Sequence, residues 1–224
     1  MILAAGRGER MRPLTDTCPK PLLKVNGIPL IEYHIKNLAA AGITDIVINH
    51  AWLGQKLVDY LADGKQFSVN ITYSEEPVAL ETAGGIIKAL PLLANNEQDT
   101  FIVVNGDVYC DYNFNDLPKL ASEFDAHLLL VRNPEHNAKG DFQLAGNKLI
   151  NLIDNQQTTY TFSGIALYKK RFFSQNVAEE LHSVAPLAPM LKAGAQTGKI
   201  TANVIDNAWT DVGTPERLAQ LNQN

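Results

Sequence analysis

The chain has 224 residues, of which 46% are hydrophobic, and its 19 basic and 24 acidic side chains leave a net charge of −5. This balance argues against nucleic acid as a partner, because such proteins present a basic face to phosphates, and no apolar run approaches the roughly 18 residues that cross a membrane. Two cysteines are too few for a disulfide scaffold and the apolar start is too short for a signal peptide, so we expect a cytoplasmic protein.

The first half of the chain alternates short apolar runs with amphipathic segments, which is typical of a parallel sheet covered by helices. The pattern predicts strands at 1–4, 45–49, 69–73 and 100–105, and helices at 29–41, 54–62 and 82–90. Gly42 is expected to close the first helix and Pro91 to end the third. The fourth strand is apolar throughout, which places it in the buried centre of the sheet. The first strand starts abruptly, which leaves open whether the native chain extends upstream of Met1.

The second half is less regular but contains elements of the same kinds. It predicts strands at 126–131 and 159–168, a hairpin at 142–153 that turns at 145–148, and a helix at 185–195. Thr214 followed by Pro215 predicts a final helix, because Thr is a good N-cap and Pro fits the first helical turn. Without linkers or repeats, the sequence predicts one α/β domain over residues 1–224, with a mostly parallel central sheet flanked by helices and a small antiparallel hairpin region.

A glycine-rich segment follows the first strand and reads Leu-Ala-Ala-Gly-Arg-Gly-Glu-Arg over residues 3–10. Glycines there let backbone N–H groups approach a phosphate closely. The dinucleotide-binding fingerprint fails for want of its third glycine, and the P-loop fails because no Gly-Lys-Ser/Thr follows. Four cations near the loop, Arg7, Arg10, Arg12 and Lys20, indicate a polyphosphate site, and the alternative is a solvated basic loop.

Two aspartates follow strands at positions where ligands bind in α/β sheets. Asn105-Gly106-Asp107 ends the buried central strand, and Asp211 lies at a second turn from strand to helix. A carboxylate pair beside a polyphosphate suits Mg²⁺, which prefers oxygen ligands. The alternative for each aspartate alone is a structural turn residue.

A third helix starts among small residues, Leu80-Glu-Thr-Ala-Gly-Gly85. Such a start exposes the amide groups and the positive end of the helix dipole to an anion or a flat base. Close packing of the helix on the sheet is the alternative explanation for the paired glycines.

The glycine loop and the Pro-Lys-Pro-Leu run at 19–22 together resemble the signature of the sugar-1-phosphate nucleotidyltransferases. The resemblance implies a Rossmann-like, GT-A-like nucleotidyltransferase fold and transfer of a nucleotide from a triphosphate to a sugar 1-phosphate. It also implies that residues 1–110 mainly bind the nucleotide, and that 111–224 mainly bind the sugar and supply the second metal carboxylate.

The resemblance assigns roles to individual residues. It implies Arg10 and Lys20 as catalytic groups, and Asp107 and Asp211 as ligands of a Mg²⁺ cofactor. It implies a nucleotide site made of Leu3, Ala5, Gly6, Gly8, Glu9, Thr82, Gly84 and Asn105. It implies a sugar site made of Gly140, Asp141, Asp154, Ser163 and Gly164.

Further runs across the chain, including LETAGGI, VNGDV and WTDVGTPERL, are similar to the members that make UDP-N-acetylmuramate from UTP in cell-wall recycling. Members that act on mannose or glucose 1-phosphate remain alternatives, because the glutamine typical of pyrimidine-specific members is absent before Leu80. A non-catalytic nucleotide-sugar sensor is an alternative of another class. The carboxylate of a muramate sugar calls for a cation, and Arg132, His136 and Lys139 are candidates. A monomer and a homodimer are both compatible with the sequence.

Overall fold

The computed structural model describes residues 1–94, 99–152, 157–174 and 184–223. Its strands are β1 Ile2–Leu3, β2 Lys24–Val25, β3 Ile28–Pro29, β4 Asp45–His50, β5 Asn70–Glu75, β6 Thr100–Asn105, β7 Val108–Cys110, β8 Ala126–Val131, β9 Phe142–Ala145, β10 Lys148–Asn151, β11 Thr161–Lys169, β12 Ile200–Val204 and β13 Trp209–Asp211. Its helices are α1 Leu14–Thr17, α2 Leu30–Ala40, α3 Gly54–Leu61, α4 Glu81–Leu93, α5 Lys170–Ser174, α6 Leu187–Gln196 and α7 Pro215–Leu221. None of these helices is both long and apolar enough to cross a membrane.

A nine-stranded sheet runs through the described chain in the order β5-β4-β1-β6-β11-β8-β12-β10-β9. The strands from β5 to β6 are parallel, and β1 lies between β4 and β6 with Ile2 opposite Ile48 and Val104. Strand β11 runs antiparallel to β6 and β8, β12 is parallel to β8, and the β9–β10 hairpin forms one edge. The predicted α/β class is therefore confirmed, with a parallel half that ends in a common edge and an antiparallel hairpin at the far side.

Helices cover both faces of this sheet, and alternating side chains of the central strand enter two separate cores. Phe101 and Val103 of β6 pack in one core with α4 and α6, while Val104 packs in the other with α2 and α3. A third, smaller cluster joins Met11 beside the glycine loop to Leu218 of α7. The final helix thereby packs next to the glycine loop.

The structure corrects the predicted elements at several places, and the short elements β2, β3, β7, α1 and α5 were not predicted. Helix α4 continues through Pro91 to Leu93, because the Ala94 N–H still donates to the Leu90 carbonyl at 3.2 Å and only one helical bond is lost. Strand β12 was not predicted at all. The final helix is confirmed, since the Thr214 side chain accepts the Arg217 N–H at 3.4 Å.

We expect the protein to lose stability at acidic pH because of a buried histidine in α2. Burial lowers the pKa of His34 to about 4, and its Nε2 lies 2.8 Å from the Val108 carbonyl. Because the pKa in the folded protein lies below the ordinary value of 6.5, the folded state resists protonation. The contribution of neutral His34 to the free energy of unfolding is therefore complete above pH 6.5. It falls by about 3 kcal/mol as the pH drops toward 4, because the unfolded chain takes up a proton that the folded chain does not.

Urea unfolding at several pH values tests this expectation. The free energy of unfolding of His34→Gln should depend less on pH between 6.5 and 4 than that of the parent chain. His136→Gln, which changes an exposed histidine, is the control. Equal pH dependence in the parent chain and His34→Gln would contradict the assignment.

Candidate active site

Three adjoining cavities open along the edge where the parallel strands end. The loop cavity, about 310 Å³, lies between the glycine loop, the end of β4 and the start of α4. The junction cavity, about 390 Å³, lies between β6, β11 and β13, and the hairpin cavity, about 650 Å³, lies between the β9–β10 hairpin and α6. All three share Asn105, so residues from both halves of the chain face one continuous depression.

Most of the residues predicted to bind a nucleotide come together in the loop cavity. Those that line it are Leu3, Ala5, Gly6, Thr82 and Asn105, together with the predicted catalytic Lys20 and the predicted metal ligand Asp107. Gly8 and Glu9 are not among the residues that line this cavity, and the Gly8 carbonyl accepts bonds from Met11 N–H at 2.9 Å and Thr15 Oγ1 at 2.8 Å. Gly84 is buried in α4 and is not among the residues that line the loop cavity.

The four cations near the glycine loop occupy different places. Arg7 lines the loop cavity, and its guanidinium lies 3.9 Å from the ring centroid of Trp52. Arg12 is exposed and pairs with Asp16 at 2.9 Å. Arg10 is exposed and is not among the residues lining the three cavities. Of the four cations that the sequence places near the loop, Arg7 and Lys20 line the loop cavity.

Lys20 and Asp107 form an ion pair at the wall between the loop and junction cavities. The Lys20 ammonium lies 2.6 Å from Asp107 Oδ2, and the lysine is buried whereas the aspartate side chain is 39% exposed. A short turn over Lys20–Leu22 begins after Pro19, which fixes the direction of the chain at this point. A desolvated cation is thus held beside a carboxylate that faces open space.

Asp211 also lines the junction cavity, on a strand paired with the one that follows Asp107. Asp211 pairs with Val108 in the β7–β13 ladder, and its Oδ2 accepts a bond from Arg217 at 2.7 Å. The described residues contain no group of three or more His, Cys, Asp or Glu placed to hold a metal ion. Asp107 and Asp211 form a sparse set of hard oxygen donors, which fits Mg²⁺ because this ion keeps water and phosphate ligands.

The residues predicted to bind a sugar divide between two cavities. Gly140 lines the hairpin cavity, Ser163 and Gly164 line the junction cavity, and Asp141 lines both. Asp141 is itself engaged, since it accepts the Phe162 N–H at 2.9 Å. Asp154 lies outside the described residues.

Gly164 sets the position of Asn105, which all three cavities share. Its φ of +81° favours glycine, and a Cβ there would lie 2.7 Å from Asn105 Nδ2. Ser163 beside it is buried, and its Oγ accepts the Ile165 N–H at 3.2 Å. These two residues therefore shape the cavity wall through the backbone.

The start of α4 differs from its predicted form. The N–H groups of Ala83 and Gly84 donate to the Ala185 carbonyl at 2.9 and 3.1 Å, so they are not free for an anion. Thr82 lines both the loop and hairpin cavities. At Gly85 the reason for glycine is close packing, because a Cβ there would lie 2.6 Å from Glu76 Oε1.

A buried polar chain, which the sequence pattern did not indicate, forms part of the wall of the loop cavity. Asn49 Oδ1 accepts the Ala4 N–H at 2.9 Å, and its Nδ2 donates to Glu76 Oε1 at 2.7 Å. Glu76 Oε2 accepts the Leu80 N–H at 2.9 Å. This chain joins the glycine loop to the segment that precedes α4.

Comparison with known proteins identifies the fold and the chemistry it supports. The model of the Nucleotidyl transferase family matches residues 1–224. The chain belongs to this family. The nucleotidyl transferase is 49% identical over 225 residues to the N-acetylmuramate alpha-1-phosphate uridylyltransferase of Neisseria meningitidis serogroup B, with 98% of this chain and 95% of that protein covered.

More distant relatives share the fold but differ in their named substrates. The mannose-1-phosphate guanyltransferase of Schizosaccharomyces pombe is 43% identical over 118 residues, which cover 52% of this nucleotidyl transferase and 32% of that protein. A Bacillus anthracis protein assigned as a glucose-1-phosphate thymidylyltransferase and solved with sucrose superposes with a TM-score of 0.86, 25% identity and coverage of 99% and 92%. The predicted nucleotidyltransferase fold and the enzyme class are therefore confirmed.

Proposed function

We propose that this nucleotidyl transferase condenses UTP with N-acetylmuramate 1-phosphate to give UDP-N-acetylmuramate and pyrophosphate. Identity of 49% to the Neisseria enzyme of that name, over nearly the whole of both chains, supports the substrates. The observation that carries the chemistry is the Lys20–Asp107 pair, which lies where the loop and junction cavities meet. We further propose that the enzyme acts in the cytoplasm, in peptidoglycan recycling, as a monomer or homodimer.

The two halves of the chain supply different walls of the site, and this supports separate nucleotide and sugar regions. Every residue that lines the loop cavity falls within 3–107, and most of those lining the hairpin cavity fall within 140–196. We therefore place the nucleotide in the loop cavity and the sugar in the hairpin cavity. The two phosphates then meet near Asn105.

The reaction is a direct displacement at phosphorus. An oxygen of the sugar phosphate attacks the α-phosphorus of UTP, and the bond to the bridging oxygen of the departing pyrophosphate breaks as the new one forms. Because the second pKa of a phosphate monoester is about 6, the attacking oxygen is ionised at pH 7 and needs no general base. Catalysis then consists of positioning and charge neutralisation.

The residues at the cavity wall divide these tasks. Lys20 neutralises negative charge at the α-phosphate, and Arg10 is proposed to contact the departing pyrophosphate from the exposed side of the loop. Arg7 is held in the cavity wall by Trp52, by the Thr15 carbonyl at 2.8 Å and by an ion pair with Asp16 at 2.9 Å, so its guanidinium has a fixed position there. These side chains act on charge that increases in the transition state.

Asp107 and Asp211 are the residues that would hold the magnesium ion, which when bound supplies positive charge to the phosphate oxygens. Each carboxylate has a cationic partner, Lys20 for Asp107 and Arg217 for Asp211. These ion pairs fix the positions of both carboxylates, which line the junction cavity.

A substrate panel tests the proposed function. Pyrophosphate release is measured with UTP, GTP and dTTP, each combined with N-acetylmuramate, N-acetylglucosamine, glucose or mannose 1-phosphate, with and without Mg²⁺. We expect UTP with the muramate to give the highest kcat/KM and a requirement for Mg²⁺. GTP with mannose 1-phosphate as the best pair would contradict the substrates but not the chemistry, and no release with any pair would favour a sensor.

A further inference from the structure

The hairpin cavity has an apolar wall and a single described cation. Phe142, Phe162, Leu187 and Leu191 supply apolar surface to it. Among the described lining residues, the charged side chains are Glu81, Asp141 and Lys192. Such a cavity suits a largely uncharged ring that carries one negative group.

Lys192 lies on the face of α6 that borders this cavity. Ala188 and Gln196, one helical turn before and after it, also line the cavity. The backbone of the helix is fixed at this point, because Asn151 Nδ2 of β10 donates to the Lys192 carbonyl at 3.0 Å. The exposed side chain thus extends from a fixed base at the cavity rim.

The acidic groups of the cavity do not compete strongly for this cation. Asp141 accepts the Phe162 N–H at 2.9 Å and Asn137 Nδ2 at 3.0 Å, so both of its oxygens are engaged. No described carboxylate forms an ion pair with Lys192. Its charge is available to a ligand.

The three cations that the sequence offered for a sugar carboxylate are placed elsewhere. Arg132 lies 3.4 Å from Asp206, and His136 lines the junction cavity 3.0 Å from Arg217. Lys139 is not among the residues that line the hairpin cavity. Of these three residues and Lys192, only Lys192 lines the hairpin cavity.

We propose that Lys192 is a specificity-determining residue that binds the carboxylate of an acidic sugar 1-phosphate in the hairpin cavity. The proposal rests on the proposed function, because N-acetylmuramate differs from N-acetylglucosamine by an ether-linked carboxylate. A flexible lysine at the rim pairs with this group while the apolar wall contacts the ring. The neutral sugar makes no such contact.

Steady-state kinetics of Lys192→Met separate this role from a structural one. We expect KM for N-acetylmuramate 1-phosphate to rise about tenfold, the usual effect of losing a charge-assisted hydrogen bond. KM for N-acetylglucosamine 1-phosphate and for UTP should stay as in the parent enzyme. Lys192→Arg should restore most of the affinity, and Lys139→Met is the matched control.

Each other outcome overturns the assignment. Equal losses with both sugars would show that Lys192 only supports the fold of the cavity. Unchanged kinetics with the muramate would show that another group binds its carboxylate. Failure of the proposed function is distinguishable, because it appears in the parent enzyme as an absence of preference for the muramate.

Discussion

Replacing Lys20 by methionine will lower kcat by about a hundredfold or more and leave the fold nearly as stable as before. The Lys20 side chain is only 8% exposed, and its ammonium is 2.6 Å from Asp107. A buried cation aimed at developing phosphate charge contributes on this scale, because few water molecules screen it. Methionine keeps the length of the side chain and removes the charge.

The expected stability change is small because Asp107 is open to water. With 39% of its side chain exposed, the carboxylate is solvated when the lysine is lost, so no charge is left buried without a partner. Pyrophosphate release measures kcat, and urea unfolding measures the free energy of unfolding. Lys24→Met, at an exposed lysine four positions on, is the control. Turnover by Lys20→Met equal to that of the control would contradict the assigned role.

Residues that could be located from sequence carry a local signal. Asp107 follows an apolar strand, and Lys20 lies between two prolines in a run shared with a known family. Either position is recognisable without knowledge of the residue it contacts. The same holds for β6 and β8, whose observed bounds equal the predicted ones because their apolar runs are uninterrupted.

The contacts that were not predicted join residues distant in the chain. Asn49 contacts Ala4, 45 residues away, and Glu76, 27 residues away. The Arg217 bond to His136 spans 81 residues. Strand β12 mixes Thr and Asn with apolar residues, so its sequence carries no clear strand pattern. Its position in the sheet depends on pairing with β8, where Thr201 lies opposite His127, 74 residues earlier in the chain. The pattern of neighbouring residues in the sequence does not indicate such long-range contacts.

Glu76 is the missed residue with the largest expected effect on stability. Glu76 as a whole is 2% exposed, and its carboxylate accepts bonds from Asn49 Nδ2 and the Leu80 N–H. Removing the acceptors in Glu76→Ala leaves two buried donors without partners, at a cost of about 1–3 kcal/mol each. We expect the free energy of unfolding to fall by about 3 kcal/mol in total.

Further variants distinguish the loss of the Glu76 hydrogen bonds from the mere loss of a side chain. Glu75→Ala truncates the exposed neighbour and should change the free energy of unfolding by less than about 0.5 kcal/mol. Glu76→Gln keeps one acceptor but directs an NH₂ group at a donor, so it should lose roughly half of the stabilisation. Gly85→Ala should also destabilise, because its Cβ would lie 2.6 Å from Glu76 Oε1 and 2.7 Å from Asn49 Nδ2.

The same chain connects stability to nucleotide binding. Asn49 holds the Ala4 N–H at the base of the glycine loop, and Glu76 holds the segment before α4, so both walls of the loop cavity depend on one carboxylate. Glu76→Ala should therefore raise KM for UTP at temperatures where the variant is still folded. Unfolding of Glu76→Ala at the same urea concentration as Glu75→Ala would show that the two walls are held by other contacts.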